Sequence, residues 1–159
     1  MDQKTLARWL KAVIIGTGIC GLVVFLWLVP FMGKGVLEGY PEFGSWYLPW
    51  LIFLEIGGLP CFGVLYLGWR IAGNIGQDRS FSMENASFLK KIAYCAAGDT
   101  VYFFIGNIAL WLCGMSHPDV VLASLVIDFV GIAVSVAAAG LSHLVEKAAK
   151  LQEESELTI

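Results

Sequence analysis

The sequence predicts an all-α protein, a bundle of four transmembrane helices with both termini in the cytoplasm. Three observations carry that prediction. The chain of 159 residues is 58% hydrophobic and only 14% charged, with a mean hydropathy of +0.75, too apolar for a soluble domain of this size. Four windows hold the ~20 mostly apolar residues that a helix needs to cross a bilayer. The basic residues fall almost entirely on one side of those windows. The spans cover 12–32, 47–69, 92–115 and 120–141, and a helical tail occupies 142–159. Residues 1–159 therefore form a single integral membrane domain, with no room for a separate soluble one.

The first window, Ala12 to Met32, carries no charge. Its apolar run exceeds the usual h-region of about 7 to 15 residues and no Ala-x-Ala-like site follows, so it reads as a permanent anchor, not a cleaved leader. The loop Gly33 to Trp46 is long enough to fold back onto the membrane surface. The second window, Tyr47 to Trp69, is interrupted by Gly57, Gly58 and Pro60, where a kink is expected. Windows three and four are separated only by Ser116 to Asp119, around Pro118, so those helices must be antiparallel neighbours.

Orientation follows from Lys and Arg in the connections. Lys4, Arg8 and Lys11 precede the first span; Arg70, Arg79, Lys90 and Lys91 lie between the second and third; Lys147 and Lys150 follow the fourth; Lys34 stands alone on the opposite side. This places the termini and the middle connection inside, in the inner (plasma) membrane of a bacterium. Tyr40, Phe43, Trp46, Tyr47 and Trp50 fit an interfacial aromatic belt on the outer side, with Trp9 and Trp69 marking the inner boundary.

The inner connection from Arg70 to Lys91 is too long for a simple turn, so helix is expected to continue past both membrane edges, with Ser82 as N-cap of the third helix. After Leu141, the spacing of Leu144, Val145, Ala148 and Leu151 extends the fourth helix into the cytoplasm, with Glu146 and Lys150 placed for an i,i+4 pair. The acidic end, with Glu153, Glu154, Glu156 and Thr158, is expected to be solvated, mobile or held by a partner.

Glu55, Asp99 and Asp128 lie well inside predicted spans, where a carboxylate costs roughly 2.5 to 3.5 kcal/mol on insertion scales. Steps of three and four from Asp128 give Ser124, Gly131, Ser135, Ala138 and Ser142, a stripe of small and hydroxyl side chains suited to helix packing and to a homodimer face. Counting from the expected span ends puts Glu55, Asn107 and Asp128 about 12 Å below the outer boundary, where they can meet, with Asp99 about 12 Å deeper and turned by about 80°. Two acids at one level cannot both ionise cheaply. Two readings stand: a proton or cation site, or protonated carboxyls that bond across helices as packing glue.

The remaining chemistry is absent. Cys20, Cys61, Cys95 and Cys113 lie in apolar runs without a Cys-x-x-Cys pair, so neither a zinc site nor a thiol redox motif is written here. No His cluster, Gly-rich phosphate loop or nucleophile with a base is found. No catalytic residue, metal, cofactor or direct nucleic-acid binding is expected, and the protein is not expected to be an enzyme.

Tyr40-Pro41-Glu42 before the second span, Phe81-Ser82 with Asn85-Ala86 and Leu89-Lys90-Lys91-Ile92 in the inner connection, and the terminal Glu156-Leu157-Thr158-Ile159 resemble the YoaS-like family of bacterial four-helix membrane proteins, a domain of unknown function. The match runs over nearly the whole chain and rests on order and spacing, since none of these pieces is catalytic. The resemblance implies a small helix-turn-helix regulator as a cytoplasmic partner, because members are often encoded beside one. It also implies apolar residues where Glu55, Asp99 and Asp128 stand, a departure that counts against a proton site as a family property. Two functions are therefore carried forward. One is a membrane-anchored regulatory protein that offers Arg79, Lys90, Lys91, Glu153, Glu154 and Glu156 to that partner. The other is a proton- or cation-linked transporter or channel subunit that uses Glu55, Asp99 and Asp128 with Asn107.

Overall fold

The computed structural model describes residues 2–157, with the side chains of 156 and 157 left out; Thr158, Ile159 and the side chain of Glu156 lie outside the described residues. It is all-helical, and four helices are long and apolar enough to cross a membrane. In chain order the elements are α1 (Gln3–Val23), a π-helical turn (Val24–Leu28), α2 (Val29–Gly39), a 3-10 segment (Pro41–Trp46), α3 (Tyr47–Gly76), α4 (Met83–Leu112) and α5 (Pro118–Leu157).

α1, the π turn and α2 form one 37-residue rod, Gln3–Gly39. The π turn has a local cause. Pro30, in the first turn of α2, has no N–H to give to the carbonyl four residues back, and its ring crowds that turn. One wider turn absorbs both faults without breaking the rod. Helix therefore runs to Gly39 through much of the expected loop Gly33 to Trp46, and the return is made by the short 3-10 segment alone.

Between α3 and α4 both helices overrun the apolar windows as expected, so only residues 77–82 join them. Ser82 caps α4 as expected, its Oγ accepting the Asn85 N–H at 3.2 Å. α3 ends in a Schellman motif: the N–H of Arg79 donates to Asn74 O at 3.0 Å and that of Asp78 to Ile75 O at 3.1 Å. Asp78 takes the left-handed position, φ 62°, which glycine usually fills. α4 ends the same way, with Met115 N donating to Leu110 O and Gly114 N to Trp111 O, both at 2.9 Å, and here glycine holds the left-handed residue, φ 72°.

The helices pack in chain order as an open row. α1 lies along α3, α3 along α4 and α4 along α5, while among the described residues no close backbone approach joins α1 to α4 or α5, or α3 to α5. Each helix runs against its neighbour, so residue 3, residue 157 and the α3–α4 turn share one end, here the terminal end. The far end carries α2, the 3-10 segment and the α4–α5 turn. α3 meets α4 through Phe53, Gly57, Val64, Leu67, Ile71 and Asn74, positions spaced by three and four. α3 meets α1 through another stripe, with Gly58 against Phe25, Phe62 against Gly21, Leu65 against Gly18 and Gly76 against Ala7.

Candidate functional site

α5 packs on α4 through the stripe of small residues on the Asp128 face. The Ser142 hydroxyl donates to Ala86 O at 2.7 Å and the Ser135 hydroxyl to Ala93 O at 2.9 Å. These bonds lie seven residues apart on both helices, so they fix an antiparallel register. Continued outward, that register sets Gly131 against Thr100, so close that a Cβ on Gly131 would overlap the Thr100 hydroxyl. Asp128 then lies between the levels of Thr100 and Phe103, and Ser124 lies near that of Asn107.

Two of the four intramembrane polar residues thus share one interface. Asp128 is 6% exposed and Asn107 1%. Both carboxyl oxygens of Asp128 and Oδ1 of Asn107 are buried without a hydrogen-bond partner. Nδ2 of Asn107 donates to Phe103 O at 2.8 Å, and the Ser124 hydroxyl donates to Val121 O at 2.8 Å. The depths differ from the sequence count. α4 ends at Leu112 and α5 starts at Pro118, so Asn107 lies roughly 8 Å from its helix end and Asp128 roughly 15 Å. Asp128 stands about midway between Asn107 and Asp99 in level.

The other two residues face elsewhere. Asp99 points to α3, its Oδ1 3.9 Å from where a Cβ of Gly57 would lie and close to Tyr102, whose hydroxyl donates to Phe53 O at 3.0 Å. Its Oδ1 is also buried and unpartnered. Glu55 joins neither group. α3 faces α4 through Phe53 and Gly57, two residues to either side, and at about 100° per residue that turns Glu55 to the opposite side of its helix. It is half-buried and makes no hydrogen bond among the described residues. The meeting of Glu55 with Asp128 and Asn107 does not occur: span-end counting gives depth only to within about a turn, and it does not tell which face a helix gives to its neighbour.

At the terminal end, a polar network ties the α3–α4 turn. Asn85, 1% exposed, donates from Nδ2 to Arg79 O at 3.1 Å and Ser80 O at 3.0 Å, and its Oδ1 accepts from Asn74 Nδ2 at 2.8 Å. Asn74 also donates to Glu84, which pairs with Arg70 at 3.2 Å. Nη2 of the exposed Arg79 donates to Asn74 Oδ1 at 3.3 Å and Gln77 Oε1 at 2.8 Å, which ties this side chain to the turn. Lys91 lies over the Phe88 ring and Lys90 is within electrostatic reach of Glu146. Glu153 and Glu154 ride on the exposed last turns of α5. Asn74 and Asn85 escaped the sequence reading; the signal was present in two amides flanking a six-residue turn.

The far end holds an apolar cavity of about 600 Å³, walled by Val36, Tyr40, Trp46, Tyr47, Leu54 and Val120 among others. Two residues assigned to an aromatic belt serve here as ties. Trp50 Nε1 donates to Met115 O at 3.1 Å, and Tyr47 OH to Pro30 O at 3.2 Å. His117 and Asp119, 3.2 Å apart, stand exposed at the rim.

This architecture, four helices long and apolar enough to cross a membrane, defines a small polytopic membrane protein. Residues 31–159 match the family described as Protein of unknown function (DUF2975), and the chain belongs to that family. It is 27% identical over 161 residues to the uncharacterized membrane protein YoaS of Bacillus subtilis (strain 168), an alignment that covers 99% of this chain and 98% of that protein. No solved structure matches.

Proposed function

We propose that the chain is a non-enzymatic, membrane-anchored regulatory protein of the bacterial plasma (inner) membrane, and that its terminal end faces the cytoplasm and docks a small helix-turn-helix regulator. The observation that carries this reading is the length of α5. It runs unbroken over 40 residues, about 60 Å, where a bilayer core needs about 30 Å. Ala149 is the last buried residue among those described. Beyond it, roughly two turns project past the rest of the chain, and Leu144, Lys147, Leu151 and Glu154 line one exposed face at helical spacing. Two exposed leucines two turns apart, interleaved with charge on a projecting helix, suit a helix-in-groove partner.

The test is a photo-crosslinking amino acid at Leu144 or Leu151 in native membranes. The expected product is an adduct with a helix-turn-helix protein, lost when the other leucine of the pair becomes aspartate or when the chain is ended after Leu151, with membrane insertion unchanged. Adducts with lipid or with itself alone would end this reading.

A second reading, a proton- or cation-linked transporter subunit, draws support from the unpartnered Asp128 carboxyl. Glu55 is turned away from it, however, and an open row of helices encloses no path. Transport would need a homodimer, with a second copy closing the row.

A further inference from the structure

We propose that the α4–α5 interface contains a binding site for one small monovalent cation, of the size of sodium, built by Asp128, Asn107 and Ser124. Nothing in the docking reading is needed for this.

The argument is an inventory of donors and acceptors. Asp128 presents two buried oxygens and Asn107 one, all without partners. The hydrogen of Ser124 is already spent on Val121 O, so its Oγ faces the interface with lone pairs alone; Asn107 has one Nδ2 hydrogen on Phe103 O, and the other reaches neither carboxyl oxygen. Thr100, next along α4, has likewise spent its hydroxyl hydrogen on Ala96 O at 2.8 Å. The result is a buried set of oxygens with a surplus of lone pairs. The large majority of buried side-chain polar atoms in folded proteins have a partner, and three unpartnered oxygens on two residues of one interface call for a guest that is attracted to oxygen from every side.

Charge then narrows the guest. An ionised Asp128 would bring one negative charge, and no basic group faces it. α4 has no Lys, Arg or His between Lys91 and His117, α5 has none between His117 and His143, and on α3, packed behind α4, the nearest is Arg70. Asp99 and Glu55, the other acids at this depth, turn toward or beyond α3. One positive charge balances the site and two would overload it. Carboxylate, amide carbonyl and hydroxyl oxygens are hard ligands that select alkali and alkaline-earth cations over soft metals. The Gly131 and Ser124 positions that keep the helices close leave little width, which favours the smaller alkali ion.

A proton alone answers the charge but not the geometry. One O–H on Asp128 can satisfy only one of the surplus acceptors, Asn107 Oδ1 or Ser124 Oγ, and leaves the other and the second carboxyl oxygen without a donor, whereas a cation is attracted to all of them.

The full chain in lipid nanodiscs is melted in sodium chloride, potassium chloride and choline chloride at equal ionic strength. Sodium is expected to raise Tm by about 5 °C at saturation, with a smaller or no rise in potassium and none in choline. Asp128→Asn should remove the sodium-dependent rise. Ser124→Ala, which keeps the small-residue packing, should keep the rise but move its midpoint to at least several-fold higher sodium. Lowering the pH should shift the wild-type midpoint upward, by up to tenfold per unit, as protons compete for one carboxyl. Equal melting in all three salts, or a sodium effect that survives Asp128→Asn and leaves the Ser124→Ala midpoint unmoved, would overturn the site. The first of these outcomes would leave a protonated carboxyl bridged to Asn107 by water.

Discussion

The α4–α5 and α1–α3 interfaces are both antiparallel helix pairs of one chain in one solvent, yet they are held by different means. At α4–α5 two serine hydroxyls bond across to backbone carbonyls, and Gly131 brings α5 against a threonine that its own hydrogen bond holds still. Between the α1 rod and α3 the one side-chain hydrogen bond among the described residues is from Tyr47 OH to Pro30 O at the far end, and the glycines of both helices mostly accommodate the ends of rings and branched chains, Phe62, Phe25, Leu65 and Ile14. Lipid offers little hydrophobic gain for bringing apolar faces together, so close packing and interhelical hydrogen bonds decide how firmly two helices associate. The α4–α5 pair is therefore the rigid half of the row and the α1 rod, which touches only α3 over its spanning length, the adjustable half.

The sharpest way to break this comparison is to make the same substitution on each side. Gly131→Ala forces a Cβ into Thr100 and is expected to destabilise the protein by roughly 2 kcal/mol. Gly18→Ala meets only the far end of Leu65, at 3.8 Å, and should be neutral or stabilising by up to about 1 kcal/mol, since alanine is the better helix former. Reversible unfolding in mixed micelles reads both. Equal costs would show that the two interfaces do not differ in the way described.

A smaller effect separates hydrogen bonding from packing. Ser142→Ala keeps the small side chain but removes the bond to Ala86 O, and should cost roughly 0.6 to 1.7 kcal/mol. Ser155→Ala, which loses only a bond to Gln152 O within the exposed last turns, should cost nothing measurable by the same unfolding assay. A null result at Ser142 would assign the α4–α5 affinity to close packing alone.

This contrast also explains what could be read from residues alone. The four spans, the Ser82 cap, the Glu146–Lys150 pair and the pairing of the last two helices follow from local signals, namely apolar length, capping chemistry and a four-residue turn. The packing face of α5 was legible because its small residues repeat at helical spacing. Which face α3 turns toward α4 was not, because that helix is apolar nearly all round and carries two packing stripes, one for each neighbour. Glu55 sits at the same depth as expected and on the side opposite to the one required. The helical run through Gly33 to Gly39 was missed for a related reason: glycines lower helix propensity in water, but a rod that leans on α3 can absorb them.

The extension of α5 gives the last and smallest test, where the comparison moves from lipid to water. Lys150 Nζ lies 2.7 Å from Glu146 Oε1, both half-exposed at the surface. Donation from Lys150 holds the Glu146 carboxyl below its ordinary range, and acceptance by Glu146 raises Lys150 above its own. A carboxyl whose value falls on folding adds stability above its unfolded value, about 4.3, and that contribution disappears as pH falls through the lower folded value. A lysine whose value rises on folding contributes below about 10.4 and loses the contribution as pH climbs through the higher folded value. The projecting turns should thus hold a constant helicity from about pH 5 to 10 and fray at either extreme, by no more than about twofold in amide exchange at Ala148 to Leu151. Glu146→Gln should remove the acid limb while leaving the buried stretch from Asp128 to Ser142 unchanged, because lipid-buried turns are fixed by α4 and the water-exposed ones by their own side chains. An acid limb that persists in Glu146→Gln would mean that this segment is held by something other than its i,i+4 pair.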